Sequence, residues 1–328
     1  MRAAWFESFG KAADVLQFGE LETPTAGPGE VLVRIRTSGV NPSDVKKRAG
    51  SFPNLLDAGL VIPNSDGAGV IEAVGNGVDA SRIGERVWLY QAQFARQHGT
   101  AAEYVAIDAS HAATLPENAS FEVGSCLGIP AMTSHRAVFA DGDVDGQTIL
   151  ITGGAGRVGY YAVQWASQAG ATVIATASND ADKTACEGAG AHHVINHRGN
   201  DVVGAIMAAS GGNLIDRVVD VEFGANLAVS VAVLKVGGVI ATYSSTRVPE
   251  PRLPFFQMMY KDLTIHTIIV YAMPEPAKQH AITDIDKALV ANTLQHRIAE
   301  TMPLHEIARA NEIIENGSIR GAVVLTLD

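Results

Sequence analysis

In the second half of the chain, short apolar runs of strand length alternate with longer segments whose apolar residues have helical spacing. The first run, TILIT, leads through a glycine-rich turn into YYAVQWASQAG. Repeated strand–helix units predict an α/β fold with a parallel, doubly wound sheet. The predicted strands cover residues 148–152, 172–177, 192–196, 217–221, 236–244 and 265–270, and the predicted helices residues 160–170, 180–188, 201–209 and 227–234.

The first 125 residues have a different pattern, in which polar and apolar residues alternate in short runs separated by glycine-rich turns. Such alternation is typical of half-buried strands, so this part of the chain is predicted to be β-rich. A short helix is expected to begin near Ser43, with Asp44 in its first turn. The predicted strands cover residues 30–37, 70–74, 86–89 and 103–107.

Two further segments precede and follow the parallel sheet in the sequence. Ser120 is predicted to cap a helix that Pro130 interrupts and that continues over residues 132–139. The tail is predicted to form a helix over residues 304–315 and a strand over residues 322–327. Because that last strand has no local partner, we expect it to return to the N-terminal β domain.

The turn after the first strand of the sheet contains the pattern GxGxxG at Gly154, Gly156 and Gly159. In a strand–turn–helix context, the first glycine allows the turn and the second lets a pyrophosphate approach the backbone. The third lets helix and strand pack closely. Free N–H groups and the positive end of the helix then hold the anion, so the motif predicts a dinucleotide site.

Composition and charge narrow the class of protein. The chain has 328 residues, of which 47% are hydrophobic and 18% charged, and this length favours about two domains. A net charge of −11 argues against nucleic acid or an anionic membrane as the main partner. No apolar run reaches the roughly 18 residues of a membrane span, and the N-terminus lacks a signal sequence. Two cysteines in unrelated contexts suit a reducing compartment, so a soluble cytoplasmic protein is expected.

The end of the second predicted strand indicates which dinucleotide is bound. NAD sites place an Asp or Glu there, whereas this strand ends in Ser178 and Asn179, so a 2′-phosphate would not be repelled. The sequence therefore favours NADP(H). Asp180 and Asp182 lie close by and either could point inward, and Lys183 could instead be an exposed helix lysine. The candidate phosphate partners are Ser178, Lys183, His197 and Arg198.

Taken in order, GEVLVRIRTSGVNPSD, SDGAGVIEAVG, GTAAEYV, GIPAMTSHRAV, ITGGAGRVG and GGVIATYSS resemble the quinone oxidoreductase (zeta-crystallin-like) family of the medium-chain dehydrogenase/reductases. The resemblance covers nearly the whole chain. It implies a GroES-like, β-rich catalytic domain over residues 1–125 and 266–328, and a Rossmann domain over residues 126–265. It also implies a homodimer formed through the edge of the Rossmann sheet, where IHTIIV could pair.

The zinc enzymes of this superfamily carry ligands at positions that here hold Asn41, Asn64-Ser65-Asp66 and Gly128. Zinc favours thiolates and imidazoles in a tetrahedral array, so no metal is expected at these positions. The two cysteines also exclude the four-cysteine lobe of the zinc enzymes. His98, His111 and His135 are interpreted as surface or packing histidines.

The resemblance also implies roles for individual residues. Asn41 matches the family's polar residue for the acceptor, unless it only shapes the turn before Pro42. Lys46 and Phe52 replace two family tyrosines near the cleft. Lys46 could hydrogen-bond a developing phenolate or enolate, or belong to a solvated cluster with Lys47 and Arg48. The implied cofactor residues are Thr133, Ala155, Gly156, Arg157, Val158, Ser178, Lys183, His197, Asn226, Tyr243, Ser244, Ser245, Ile268 and Val270.

These features together predict an NADPH-dependent, zinc-independent quinone oxidoreductase. Without a metal to polarise an alcohol, hydride transfer requires an acceptor that is already activated. Two alternatives stay open: a reductase of α,β-unsaturated carbonyl compounds, and a protein that binds NADPH without turnover.

Overall fold

The computed structural model describes residues 1–317 and 319–327. The chain divides into two compact units: unit 1, Met1–Ile129 with Ile282–Asp328, and unit 2, Pro130–Ala281. No helix in the described part of the chain is both long and apolar enough to cross a membrane.

The strands alternate with helices through unit 2 and are concentrated at the two ends of the chain in unit 1. The strands are β1 (Arg2–Trp5), β2 (Gln17–Glu20), β3 (Glu30–Val40), β4 (Asp66–Val74), β5 (Arg86–Leu89), β6 (Tyr104–Asp108), β7 (Ala112–Thr114), β8 (Thr148–Ile151), β9 (Thr172–Ala177), β10 (His193–Asn196), β11 (Ile215–Asp220), β12 (Leu234–Thr242), β13 (Thr264–Thr267), β14 (Ile298–Pro303) and β15 (Ala322–Thr326). The α-helices are α1 (Ala12–Val15), α2 (Pro42–Arg48), α3 (Phe121–Gly124), α4 (Met132–Phe139), α5 (Arg157–Gln168), α6 (Asp180–Gly188), α7 (Val202–Ala209), α8 (Phe223–Val233), α9 (Phe255–Tyr260), α10 (Glu275–Val290) and α11 (Ile307–Asn316).

Unit 2 contains a six-stranded parallel sheet in the order β10-β9-β8-β11-β12-β13. With β8 as the first strand this is the order 3-2-1-4-5-6 of dinucleotide-binding folds, so the predicted parallel, doubly wound sheet is confirmed. The inner strands of this sheet are largely buried, with Leu150, Ile174, Val218 and Ile240 in the core, whereas the edge strands β10 and β13 have exposed ends.

Unit 1 contains a sheet in the order β14-β15-β3-β4-β5-β7, with β6 pairing on β3. The C-terminal strand β15 runs antiparallel to β3, with Val323 opposite Val40. The prediction that the last strand returns to the N-terminal β domain is therefore confirmed. β14, which runs parallel to β15, was not predicted, because its sequence IAETMP lacks the regular alternation of a half-buried strand.

Two predicted elements, the helix that begins after Ser120 and the strand over residues 265–270, are shorter in the structure than expected. Ser120 caps α3 by accepting a hydrogen bond from Val123 N, but α3 ends at Gly124, and a π-helical turn containing Pro130 precedes α4. The predicted strand over residues 265–270 ends at Thr267. A domain boundary after residue 265 would divide β13, which pairs with β12 in unit 2; the second division between the units falls after Ala281.

Candidate functional site

The glycine-rich turn of unit 2 follows β8 and is held by two hydrogen bonds to Thr176 of β9, one to its side chain and one to its backbone. Gly153 N donates to Thr176 Oγ1 (2.9 Å) and Gly154 N to the Thr176 carbonyl (3.1 Å). The glycine in the left-handed region is Gly153, with φ of +63°, one residue before the motif. The prediction that Gly154 allows the turn is therefore wrong. Gly154 is needed for packing, since a Cβ there would lie 2.8 Å from Ala175 Cβ.

The other two glycines of the motif lie at the start of α5. A Cβ on Gly159 would lie 2.3 Å from the Gly153 carbonyl oxygen, so only glycine lets the helix approach the turn this closely. Gly156 is the N-cap residue and has no side chain to cap the helix. The first-turn N–H groups of a helix have no intrahelical acceptor, and together with the helix dipole they suit an anion such as a pyrophosphate.

The carboxyl ends of the parallel strands bring most predicted cofactor residues to one edge of the sheet. The strand register places Asp220 beside Thr242 and Thr242 beside Thr267, so the segments that follow β11, β12 and β13 emerge together. Ligands of doubly wound sheets bind at this edge. The predicted residues that follow a strand end are Ala155, Gly156, Arg157 and Val158 after β8, Ser178 after β9, His197 after β10, Asn226 after β11, Tyr243, Ser244 and Ser245 after β12, and Ile268 and Val270 after β13.

The sequence did not indicate one buried carboxylate at this edge, Asp220, the last residue of β11. Its Oδ1 accepts hydrogen bonds from Thr152 Oγ1 (2.7 Å), Asn226 Nδ2 (2.7 Å) and Glu222 N (3.0 Å). Burial and the nearby Asp220 raise the pKa of Tyr243 above its ordinary value, so that hydroxyl keeps its proton. Asp220 thus fixes Asn226, and burial, with a smaller contribution from Asp220, favours the neutral form of Tyr243.

The end of β9 shows where the nearby acids point. Asn179 caps α6: its Oδ1 accepts from Asp182 N (2.8 Å) and its Nδ2 donates to Asp182 Oδ2 (2.9 Å). Asp182 is buried in this cap, whereas Asp180 is exposed. Lys183 is exposed, with Nζ 3.8 Å from Glu187 Oε1, as in the alternative of a surface lysine. Thr133 lies buried in α4.

In unit 1, Asn41 is the N-cap residue of α2 and joins a buried polar cluster. Its backbone N donates to Asp44 Oδ2 (2.9 Å), and its Nδ2 donates to Asp66 Oδ2 (2.9 Å). Asp66 Oδ2 also accepts from Ile129 N (2.8 Å), while Asp66 Oδ1 has no hydrogen-bond partner in the described residues. Burial raises the pKa of Asp66 to about 8, and burial also raises the pKa of Asp44.

The ammonium of Lys47 lies in the same cluster. Its Nζ donates to Ser65 Oγ (3.1 Å) and to the Gln93 carbonyl, and it interacts electrostatically with Asp44 and Asp66. Burial lowers the pKa of Lys47, against the opposing effect of these two carboxylates. We name Asn41, Asp44, Lys47, Ser65 and Asp66 the polar cluster.

The interpretation of Lys46, Lys47 and Arg48 as one solvated group is wrong for two of its members. Lys46 is exposed, whereas Lys47 is 3% exposed and Arg48 1% exposed. Asp44, Lys47 and Arg48 have the 3- and 4-residue spacing of one helix face, and that face of α2 points into unit 1. Arg48 is satisfied there by Glu315 and the Gly10 carbonyl.

A mainly apolar cavity of about 350 Å³ opens beside the polar cluster in unit 1. Phe52, one of the residues that replace family tyrosines, is part of its wall. The cavity is lined by Lys47, Phe52, Pro53, Asn54, Leu55, Gln93, Phe94 and Ala95.

The residues at the zinc-ligand positions do not fit a zinc ion. Among Asn41, Ser65, Asp66 and Gly128, only Asp66 offers a ligand that zinc commonly takes. The Lys47 ammonium in the same cluster would repel a cation. A Cβ on Gly128 would lie 2.2 Å from Asp66 Oδ1, so this carboxylate occupies the space of a ligand at position 128. Metal-independent chemistry stays a prediction that this donor set supports.

The three histidines considered as ligands have separate surroundings. His135 is buried and packs edge-on against Trp165, with ring centroids 5.5 Å apart. His111 packs edge-on against Tyr90, and His98 is exposed.

Models of known protein families match segments of both parts of the chain. The profile of the alcohol dehydrogenase GroES-like domain matches residues 27–117, and that of the zinc-binding dehydrogenases matches residues 158–287. Human quinone oxidoreductase is 30% identical over 100% of this chain and 98% of its own length. An alcohol dehydrogenase of Geobacillus stearothermophilus is 30% identical over the full length of both chains. A mycobacterial protein solved with NADPH has 25% identity and a TM-score of 0.88, covering 100% of both chains.

The chain therefore belongs to the medium-chain dehydrogenase/reductase superfamily and is an NAD(P)-dependent oxidoreductase of that class. Within the superfamily it belongs to the quinone oxidoreductase (zeta-crystallin-like) family.

Proposed function

We propose that the protein is an NADPH-dependent quinone oxidoreductase that transfers hydride without zinc. The observation that carries this proposal is that the chain has two features together. One is the glycine-rich turn at the carboxyl edge of the parallel sheet, and the other is the polar cluster, whose residues do not fit zinc. The first feature binds a dinucleotide, and the second restricts the acceptor to compounds that need no Lewis acid.

The preference for NADP(H) follows from the end of β9. Ser178 and Asn179 stand where NAD enzymes place an acid, and Asp182 is engaged with Asn179 in the helix cap. A 2′-phosphate would therefore meet hydroxyl and amide groups, with the exposed Lys183 nearby in sequence. His197 and Arg198 are also exposed and follow the neighbouring strand β10, whose Asn196 pairs with Ala177 of β9. The mycobacterial structural relative was solved with NADPH, which agrees with this choice.

In the proposed reaction, the residues at the sheet edge orient the cofactor and Asn41 orients the acceptor. Asn226, held by Asp220, and the neutral Tyr243 hydroxyl would fix the nicotinamide half. When bound, NADPH supplies the hydride. The chain's own residues position the acceptor, exclude water and provide hydrogen-bond donors to the oxygen that gains negative charge.

The test is steady-state oxidation of NADPH, followed at 340 nm, with 1,4-benzoquinone and with 2-cyclohexenone as acceptors. We expect turnover with benzoquinone that is insensitive to EDTA and much slower with NADH. Loss of turnover on chelation would reject zinc independence, and absence of turnover with every quinone would reject the quinone reductase.

Two alternatives have defined outcomes in the same assay. Faster turnover of the enone than of the quinone would identify an enone reductase, which the replacement of two family tyrosines by Lys46 and Phe52 favours. Tight NADPH binding with no turnover of any acceptor would identify a binding protein.

We also infer that the protein forms a homodimer through the β13 edge of the parallel sheet. β13 is the last strand in the sheet order, and α9, just before it, exposes apolar side chains. Phe255, Phe256 and Tyr260 are 64%, 66% and 77% exposed, an apolar surface typical of an interface.

A further inference from the structure

The segment that follows β12 in unit 2 carries three of the candidate cofactor residues. Residues 243–254 connect β12 to α9 without a helix or strand, and they begin with Tyr243, Ser244 and Ser245. Connections of roughly this length that lack secondary structure are uncommon in compact domains, and many of them bind ligands. We name residues 243–248 the β12 loop. Its conformation must be fixed by contacts with other parts of unit 2.

The carboxylate of Glu222 binds the backbone of the β12 loop with both of its oxygens. Its Oε2 accepts a hydrogen bond from Thr246 N (3.1 Å). Its Oε1 accepts hydrogen bonds from Arg247 N (2.8 Å) and Val248 N (3.4 Å). Successive backbone N–H groups that converge in this way form a concavity for an anion. Because hydrogen bonds to an ionised acceptor are stronger than neutral ones, this one side chain holds three consecutive residues of the loop.

Backbone contacts with the start of α8 fix the same loop from a second direction. Phe223 N donates to the Ser244 carbonyl (2.9 Å), and Gly224 N donates to Ser245 Oγ (2.9 Å). Ser245 Oγ in turn donates to the Val248 carbonyl (2.6 Å). A Cβ on Gly224 would lie 2.1 Å from that carbonyl oxygen, so only glycine lets the first turn of α8 approach the loop this closely.

Glu222 is itself fixed at the carboxyl edge of the parallel sheet. Its backbone N donates to Asp220 Oδ1 (3.0 Å), the oxygen that also accepts from Thr152 Oγ1 and Asn226 Nδ2. The segment after β11 therefore fixes Asn226 through Asp220 and the β12 loop through Glu222. Both contacts lie within unit 2.

We propose that Glu222 is a positioning residue of the dinucleotide site, whose carboxylate holds the β12 loop in the conformation that receives the nicotinamide half. The inference rests on the proposed function, in which Tyr243 of this loop helps to fix that half. Glu222 acts through the loop, because its two oxygens are directed at backbone N–H groups. A loop that is ordered before binding lowers the entropic cost of association. Glu222 should therefore contribute to the affinity for the whole dinucleotide and not to the affinity for its adenosine half.

The experiment measures the dissociation constants of NADPH and of 2′,5′-ADP by calorimetry for wild type, Glu222→Ala and Glu250→Ala. The probe 2′,5′-ADP represents the adenosine half, which is expected at the ends of β9 and β10. Glu222→Ala should weaken NADPH binding about tenfold, the order expected for lost hydrogen bonds to a charged group, and leave 2′,5′-ADP binding unchanged. Glu250→Ala removes a carboxylate at an exposed position of the same connection and should keep the wild-type values for both ligands.

The conservative variant Glu222→Gln separates the role of the charge from the role of the side chain. Its amide oxygen can still accept a hydrogen bond but is neutral, so its NADPH affinity should fall between those of Glu222→Ala and wild type. Wild-type affinity for 2′,5′-ADP in these variants would show that unit 2 is folded. A loss of NADPH affinity alone then reports on the β12 loop.

Two results would overturn the inference. One is an NADPH affinity of Glu222→Ala within about twofold of wild type. The other is an equal loss of affinity for NADPH and 2′,5′-ADP in both Glu222 variants, which would mean that Glu222 supports unit 2 as a whole. In either case a wild type that oxidises NADPH with benzoquinone would leave the proposed function intact. A wild type that binds neither ligand would instead overturn the proposed function and this inference together.

Discussion

Asp66 allows a sharp test of the electrostatics of unit 1. Its side chain is fully buried, and both of its named hydrogen bonds, from Asn41 Nδ2 and Ile129 N, go to one oxygen. Burial, with a smaller contribution from Asp44, raises its pKa from 3.8 to about 8; the two hydrogen bonds and Lys47 oppose the shift. The folded protein therefore binds this proton more tightly than the unfolded chain does.

The sign of the pH dependence follows from that difference. The stabilisation is complete below the unfolded pKa of 3.8 and is lost as the pH rises through the folded pKa of about 8. Between these values, each pH unit costs about 1.4 kcal/mol of unfolding free energy from this group alone. Asp66→Asn, which stays neutral at every pH, should lose this slope, so its advantage over wild type should grow by roughly 2–3 kcal/mol from pH 5 to pH 7.

The assay is urea unfolding between pH 5 and pH 8, followed by tryptophan fluorescence in a Trp165→Phe background. Of the three tryptophans, Trp5 and Trp88 then remain, and both lie in unit 1 with Asp66. Asp57→Asn, at an exposed position, is the control for removing one surface charge and should give a curve parallel to wild type. If the Asp66→Asn curve also ran parallel to wild type, Asp66 would not be protonated in the folded protein and the reasoning would fail.

Three further predictions use other parts of the molecule. Gly159→Ala places a Cβ 2.3 Å from the Gly153 carbonyl oxygen, so it should cost about 1–3 kcal/mol of stability and weaken NADPH binding, measured by calorimetry, at least about tenfold. The control Gly188→Ala, whose Cβ would meet nothing within 4 Å, should be neutral or stabilising. Burial lowers the pKa of His296 to about 4, so the unfolding free energy of the wild type should fall by about 3 kcal/mol as the pH falls from 6.5 to 4. His296→Gln should lack this slope, and an acid-denaturation curve with the wild-type slope would contradict the prediction. Phe256→Asp should convert the proposed dimer to a monomer, as measured by light scattering, whereas Phe18→Asp, at an exposed position of unit 1, should not. Equal masses for wild type and Phe256→Asp would exclude α9 from the interface.

The parallel sheet and the glycine turn could be predicted because their signals are local. A buried strand, a turn and an amphipathic helix each have a pattern within about a dozen residues, and their repetition determines the order of the sheet. The role of each glycine in the turn could not be predicted from the sequence alone. Gly153 takes the left-handed conformation and Gly154 packs against Ala175, and this depends on how closely β9 approaches.

The polar cluster could not be predicted, because it depends on contacts between distant residues. Lys46 and Lys47 are chemically identical neighbours, and nothing local distinguishes the solvated one from the buried one. The difference arises because Ser65, Asp66 and Gln93, which follow in other elements, meet only one face of α2. The one available signal was the spacing of Asp44, Lys47 and Arg48, which places three charged residues on the same helix face.

The same cluster links stability to turnover. With Asp66 protonated at neutral pH, the remaining Asp44–Lys47 pair has little net charge, so an uncharged acceptor can approach without electrostatic cost. Above pH 8, ionised Asp66 would place a negative charge beside Asn41, the residue proposed to orient the acceptor, and kcat should fall. Asp66→Asn removes this ionisation, so the variant should keep kcat at alkaline pH. A metal bound at these positions would not give this pattern, because Asp66→Asn would then change the affinity for the ion.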